Sequence, residues 1–278
     1  MRLFRYGDPG HERPGAWDTE GIRRDLSGLV GELDGNALRV EMLAELAAQD
    51  LARLPVVAQD VRIGPCLAGV RNFICVGLNY VDHALESGFQ PPTEPVLFNK
   101  APSCIGGPND DVLLPPGSEK MDWEVELAVV MGARAYGVTA LEAPTLIAGY
   151  TICNDISERA FQLELGGQWI KGKSSPGFGP LGPWLATPDE LPDPSSLGIW
   201  LKVNGESRQS ANTADMIFDV NTLIAYISRF MILEPGDVIA TGTPPGVGLG
   251  MRPPQYLKAG DVVELGIDRL GTQKQRIV

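Results

Sequence analysis

Asp122-Trp-Glu-Val-Glu-Leu-Ala-Val-Val-Met131 is the stretch on which the fold turns. Apolar, mostly β-branched residues alternate through it and Gly132 closes it, which predicts a strand. Side chains alternate across a strand, so Trp123, Val125, Leu127 and Val129 share one face. Glu124, Glu126, Ala128 and Val130 share the other. Two carboxylates side by side in an apolar strand repel each other and lose hydration when buried. A solvent-facing polar edge is the plainer reading, but Val130 continues the same face as an apolar residue. A hard cation bound through oxygen would offset the charge, and Glu124 and Glu126 are its expected ligands.

Ala148-Gly-Tyr-Thr-Ile-Cys153 predicts a second strand, feeding directly into a helix through Asn154-Asp-Ile-Ser-Glu-Arg-Ala-Phe-Gln162. On that helix Asp155, Arg159 and Gln162 fall at i, i+4 and i+7, on one face. Asp155 is either the helix cap or a third metal ligand. Arg159 and Gln162 add nothing to core packing, and with Asp155 they suit the wall of a polar pocket for an anionic substrate.

Phe73 to Leu78 reads as a buried strand and Asn79 to Glu86 as a short helix, with His83 and Glu86 at i, i+3. A carboxylate paired with an imidazole fixes its tautomer and raises its basicity, as a water-activating base requires. The same spacing also occurs as a purely structural pair, but the chain has only 2 histidines. The other, His11, lies in a Gly/Pro-rich turn and reads as surface. Lys171 and Lys173 sit in a Gly/Pro-dense loop, where they are either solvated or placed to stabilise an oxyanion or clamp a carboxylate. Ala240-Thr-Gly-Thr-Pro-Pro-Gly-Val-Gly248 lacks the endings of nucleotide-binding glycine loops, so nucleotides are not expected. Its backbone N–H groups and the Thr243 hydroxyl suit a carboxylate.

The 278 residues are 44% hydrophobic, enough for a real core, and the net charge of -12 argues against nucleic-acid binding. No run is long enough to span a bilayer and no signal peptide is visible, so a membrane is not expected as a partner. The four cysteines are widely spaced, and Cys75 and Cys153 read as buried free thiols in a reducing cytoplasm.

Residues 1–68 differ in texture, with a strand at Arg2–Tyr6 and an amphipathic helix from Arg39 to Ala52, and are expected as a small accessory domain. Residues 69–278 would form the catalytic domain. There, Asn204-Gly205 signals a tight hairpin, Thr139 to Glu142 a capping box opening a helix, and Asp215 to Met231 another helix. The expected class is α+β, mostly β, with helices at the edges.

In this order, Gly-Leu-Asn-Tyr-Val-Asp-His83, Pro95 to Pro102, Asp-Trp-Glu124-Val-Glu126-Leu, Gly-Tyr-Thr-Ile-Cys-Asn-Asp155, Lys-Gly-Lys173-Ser, Gly-Pro-Leu-Gly-Pro183 and Thr-Gly-Thr243-Pro-Pro-Gly-Val-Gly resemble the fumarylacetoacetate hydrolase family. The resemblance runs from about residue 70 to the C-terminus. It implies a mixed β-sandwich/roll core, a homodimer, and Mg2+ or Mn2+ held by Glu124, Glu126 and Asp155. It also implies a His83–Glu86 dyad, a catalytic Lys173, and Arg159, Gln162, Thr243 and Tyr80 facing substrate. Many relatives read Lys-Ser-x-Asp-Thr-Phe where this chain has Lys173-Ser-Ser-Pro-Gly-Phe178, so Pro176 replaces an Asp.

The implied chemistry is hydrolysis of the C–C bond of an acylpyruvate or similar 2,4-dioxo acid, with pyruvate leaving as an enolate. Related expectations are decarboxylation of an oxaloacetate-type acid, isomerisation of a 2-hydroxyhepta-2,4-diene-1,7-dioate type, and ureidoglycolate cleavage. A non-catalytic, metal-stabilised protein is the reading from another class.

Overall fold

Every residue of the Val125–Met131 strand is buried, because it lies inside a ten-stranded sheet. The structure, a computed structural model, describes all 278 residues. Antiparallel neighbours flank this strand: Ile147–Asn154, buried at all 8 positions, and Val238–Ala240. Beyond Ile147–Asn154 the sheet continues through Gly179–Ala186, Arg2–Tyr6, Arg13–Trp17 and Arg23–Asp25. On the other side Phe73–Gly77 pairs parallel to Val238–Ala240, and Val96–Lys100 forms the edge. Strands buried on both faces need continuous apolar runs, which is what Leu127 to Met131 and Ile147 to Ile152 supply.

A second, four-stranded antiparallel sheet (Glu206–Asn212, Gly198–Val203, Val262–Ile267 and Gly271–Arg276) packs against Val125–Met131 and Ile147–Asn154. Three buried glutamines tie the layers together. Gln209 accepts from the Val125 N–H at 3.1 Å, Gln273 donates to Ile152 and Gly182 carbonyls at 2.9 Å, and Gln275 accepts from Asn154 at 3.0 Å. Each satisfies backbone or amide groups that would otherwise be costly to bury. The hairpin expected at Asn204-Gly205 is present, with φ of 53° and 80° at its two central residues, as a type I′ turn requires.

Several local expectations change. The strand read from Asp122 starts only at Val125. Met121–Asp122 pairs instead with Ser157–Glu158, and Trp123 and Glu124 lie between. Asp155 is not on a helix: the helix is Arg159–Leu163, and the Glu158 side chain caps it. Thr139 and Glu142 make their reciprocal capping bonds, but a 3-10 turn, Ala143–Leu146, follows and then a strand. The Asp215 to Met231 helix shrinks to Val220–Ser228, capped by the Asp219 side chain, which accepts from the Thr222 N–H at 2.7 Å. The Arg39 to Ala52 helix is Val40–Ala47 followed by a 3-10 turn at Leu51–Arg53.

The first 68 residues add three strands to the same sheet, through Arg2–Tyr6 on Gly179–Ala186. Leu33, Leu38, Leu43 and Leu46 belong to the same apolar core as Val129. All four cysteines are buried and unpaired, and burial pushes the Cys66 thiol up to about 12, which keeps it inert. No helix is long and apolar enough to cross a membrane.

Candidate active site

Strand pairing brings the three carboxylates together. Val125 stands opposite Asn154, and the Asp155 N–H donates to the Glu124 carbonyl at 2.8 Å, so the residues flanking this pair are neighbours. Carboxylate oxygens of Glu124, Glu126 and Asp155 lie within 4.8 Å of one another, all buried.

Their compensation is uneven. Glu124 receives Arg159 Nη2 and Lys173 Nζ, each at 2.5 Å. Burial alone would raise the Glu124 carboxyl, but Arg159 and Lys173 overcome it and hold it well below the usual range. Asp155 receives Lys100 on Oδ1 at 2.5 Å and Lys173 on Oδ2 at 2.7 Å. Glu126 has only the Gly242 N–H, at 2.9 Å. Burial, then Asp155 and Glu124, push its carboxyl well above the ordinary value. Burial would lower Lys173, yet Asp155 and Glu124 raise it, so it stays an ammonium. With Asp122, whose carboxylate takes Arg159 Nε at 2.9 Å, four buried carboxylates meet three cations, Lys100, Arg159 and Lys173. Glu126 is the one left without a counter-charge. An all-oxygen donor set short of positive charge fits a hard divalent ion such as Mg2+ or Mn2+, and lacks the nitrogen and sulfur ligands zinc prefers.

His83 faces the same pocket, with Nδ1 3.0 Å from Glu86 Oε1. Paired with a carboxylate, Nδ1 carries the proton, and Nε2, which has no partner within the chain, presents its lone pair. Asn79 anchors this helix by donating to the Thr241 and Phe218 carbonyls at 2.7 and 2.9 Å. The preceding Leu78 lines the pocket in a left-handed conformation, φ 58°, which costs about 1–2 kcal/mol for a residue of this kind.

The glycine-rich turn does bind carboxylates, but they are the protein's own. Gly242 N–H holds Glu126, Gly246 N–H holds Glu86 at 2.9 Å, and the N–H groups of Gly248 and Leu249 hold Asp122 at 2.7 and 3.0 Å. One turn thereby fixes a cluster member, the dyad and the Arg159 anchor. Side chains are excluded at two of its positions. Gly242 has φ 102° and a Cβ there would stand 2.7 Å from Asn79 Cβ; Gly246 has φ 107° and its Cβ would stand 1.9 Å from the Arg208 carbonyl.

Among the other expected residues, Arg159 and Gln162 line the pocket, and Gln162 Oε1 accepts from Arg159 at 3.0 Å, which leaves its Nε2 as a donor. Thr243 also lines it, but its hydroxyl donates to the Val125 carbonyl and accepts from Gln209. Its backbone N–H, unbonded within the chain, is the donor it has left. Tyr80 is not brought to this site. It is buried, and lines a separate pocket with Asp82 and Asp215. Lys173 ends a short helix, Ile170–Lys173, and is buried, whereas Lys171 is exposed and donates to the Leu165 carbonyl. Pro176 is exposed and lies outside the pocket wall.

Four residues of the site were not singled out from sequence: Lys100 and Asp122, which pair with Asp155 and Arg159, and Phe98 and Trp169, which line the pocket. A lone lysine in the otherwise uncharged run Pro95 to Pro102 was the available signal for the first. Asp122 and Trp169 carried no signal apart from position.

A model of the fumarylacetoacetate (FAA) hydrolase C-terminal family matches residues 72–278. The chain belongs to the fumarylacetoacetate hydrolase family. A Burkholderia multivorans protein whose name goes no further than hydrolase is 55% identical over 276 residues, 99% of this chain and 98% of that protein. The family fold extends over the N-terminal segment as well. The fumarylacetoacetate hydrolase of Exiguobacterium antarcticum superposes with a TM-score of 0.88 at 38% identity, covering 100% of this chain and 99% of that one. The maleylpyruvate hydrolase of Sphingobium sp. SYK-6, solved in complex with manganese(II) and pyruvate, superposes at 0.82 with 29% identity, over 100% and 99% of the chains.

Proposed function

We propose that this family member is a divalent-metal-dependent hydrolase that cleaves the C–C bond of an acylpyruvate-type 2,4-dioxo acid into pyruvate and a carboxylic acid. The observation that carries this reading is that His83, paired behind with Glu86, lines the same pocket as the Glu124, Glu126 and Asp155 cluster. A base beside an electrophile-binding site is what attack by water requires, and decarboxylation has no use for it.

Glu124, Glu126 and Asp155 would hold the cation. When bound, it supplies Lewis-acid stabilisation to the carboxylate and 2-oxo oxygens of the substrate. Gln162 Nε2 and the Thr243 N–H are donors available to orient that end. Glu86, itself fixed by the Gly246 N–H, holds His83 so that Nε2 removes a proton from water. The hydroxide adds to the distal carbonyl carbon. Lys173 uses two hydrogens on Glu124 and Asp155 and has a third for the oxygen that becomes negative. Collapse breaks the bond to the methylene carbon, and His83 returns its proton to the departing pyruvate. Water is consumed, one C–C bond breaks, and a carboxylic acid and pyruvate result.

The Sphingobium relative, which was solved with manganese(II) and pyruvate, supports this choice of metal type and product. The test is His83→Ala with acetylpyruvate and oxaloacetate. Hydrolysis should fall by about two orders of magnitude or more, while any decarboxylation of oxaloacetate survives. Acetylpyruvate hydrolysis at the wild-type rate in that variant would remove the water-activation role.

A further inference from the structure

Away from its carboxylates the pocket changes character. Val76, Leu78, Phe98, Leu163, Trp169 and Leu249 form most of the remaining wall. Phe98 and Trp169 meet edge to face, with ring centroids 5.3 Å apart. Trp169 comes this close only because residue 77 is glycine: a Cβ there would stand 2.6 Å from its ring.

The cations are aimed at the carboxylate end, and Lys173, whose Nζ lies 4.9 Å from the Phe98 ring centroid, keeps its third hydrogen for the reacting oxygen. Arg159 donates to Asp122, Gln162 and Glu124, and Lys173 to Glu124 and Asp155. Lys171 is the next cation on these elements, and it is turned to the Leu165 carbonyl at 2.6 Å. The polar group on this side is Ser87, an uncharged hydroxyl with no hydrogen-bond partner. The free space is about 30 Å³, a few water positions. Phe89, on the turn after the dyad helix, is 42% exposed and also lines this end. Apart from the Ser87 hydroxyl and the Lys173 ammonium, the wall at this end is apolar.

We propose, building on the 2,4-dioxo-acid reading above, that the acyl end of the substrate is uncharged and apolar. The fitting class is an alkyl- or aryl-acylpyruvate with a single carboxylate. A second, distal carboxylate would lose its hydration against Phe98 and Trp169, where the one nearby cation, Lys173, is already shared between Glu124, Asp155 and the reacting oxygen. This separates the chain from enzymes acting on maleyl, fumaryl or 1,7-dioate substrates.

Binding can be read without turnover, using 2-oxohexanoate and 2-oxoadipate, which match in chain length and differ in the terminal carboxylate. With the Mg2+-loaded protein in a calorimeter, 2-oxohexanoate should bind at least about tenfold more tightly. Equal or tighter binding of 2-oxoadipate overturns the proposal. Leu163→Lys places a cation on this wall at a 38% exposed position, where folding is not at stake. It should shrink the preference severalfold; an unchanged preference means the chain does not run along this wall, and overturns it too. Hydrolysis assays keep the two ideas apart. The expected binding preference without pyruvate release from any acylpyruvate would sink the hydrolase reading alone. Pyruvate release fastest from fumarylpyruvate would sink the apolar-end proposal alone.

Discussion

Glu124, Asp155 and Arg159 each reach two or more charged partners, whereas Phe98 and Trp169 in the same pocket are held by ring contact and shape. The charged end is fixed by bonds that cannot be removed singly, since each deletion strands a buried charge. The apolar end makes no such demand and tolerates change. In the proposed reaction one end would serve the invariant part, the binding of a 2-oxo acid, and the other would set which acyl group is accepted.

The sharpest way to break this contrast is at Arg159. Arg159→Met leaves Asp122 and Glu124 without their common partner and should destabilise the protein by about 3–5 kcal/mol. Denaturant unfolding would measure it; a loss under 1 kcal/mol would show that the charged end is not held as described. Lys100→Met frees Asp155 Oδ1 while leaving Lys173 on Oδ2. Metal affinity should fall roughly 10–100-fold, the usual cost of losing a partner that orients a ligand. Titration with Mn2+ checks it, and the preference between the two 2-oxo acids should not move. Trp169→Ala addresses the other end. The advantage of apolar over charged acyl groups should drop by about tenfold, with metal affinity within twofold of wild type. Pro176→Asp introduces the residue that the family resemblance leads one to expect there. At an exposed position outside the pocket it should change stability by no more than about 0.5 kcal/mol and leave the kinetics alone.

The sequence was most legible where local chemistry and tertiary structure agree. The Glu-x-Glu spacing put two carboxylates on one face, and His83-x-x-Glu86 met across a helical turn, because both contacts are local. Asp155 reached the cluster by another route than the helical face expected of it. Strand register, which no local pattern specifies, carried it there from 31 residues away, given the Val125–Asn154 pairing. The same long-range pairing recruits Lys100 from the sheet edge and Asp122 from a separate two-stranded ribbon. The Arg2–Tyr6 strand was legible by itself, but Arg13–Trp17 and Arg23–Asp25 were not, and nothing local says that Arg2–Tyr6 adds to a strand near residue 180. Tyr80, adjacent in sequence to site residues, faces a different pocket, since its neighbours Asn79 and Leu78 turn the chain.

The buried carboxylates lack one counter-charge, and a divalent cation beside Glu126 would supply it. The pKa of Glu126 is raised in the folded, metal-free protein, so its contribution to stability is full below the ordinary carboxylate range. That contribution is lost as pH rises through the folded value. Added cation should therefore raise the melting temperature more at pH 8 than at pH 5. The most direct measurement is calorimetric titration of Mn2+ in buffers of different ionisation enthalpy, at pH 5.5 and pH 8. Proton release on binding should be larger at the lower pH and should disappear in Glu126→Gln, together with much of the affinity. Binding of Mn2+ with no proton release at either pH, unaffected by Glu126→Gln, would contradict it.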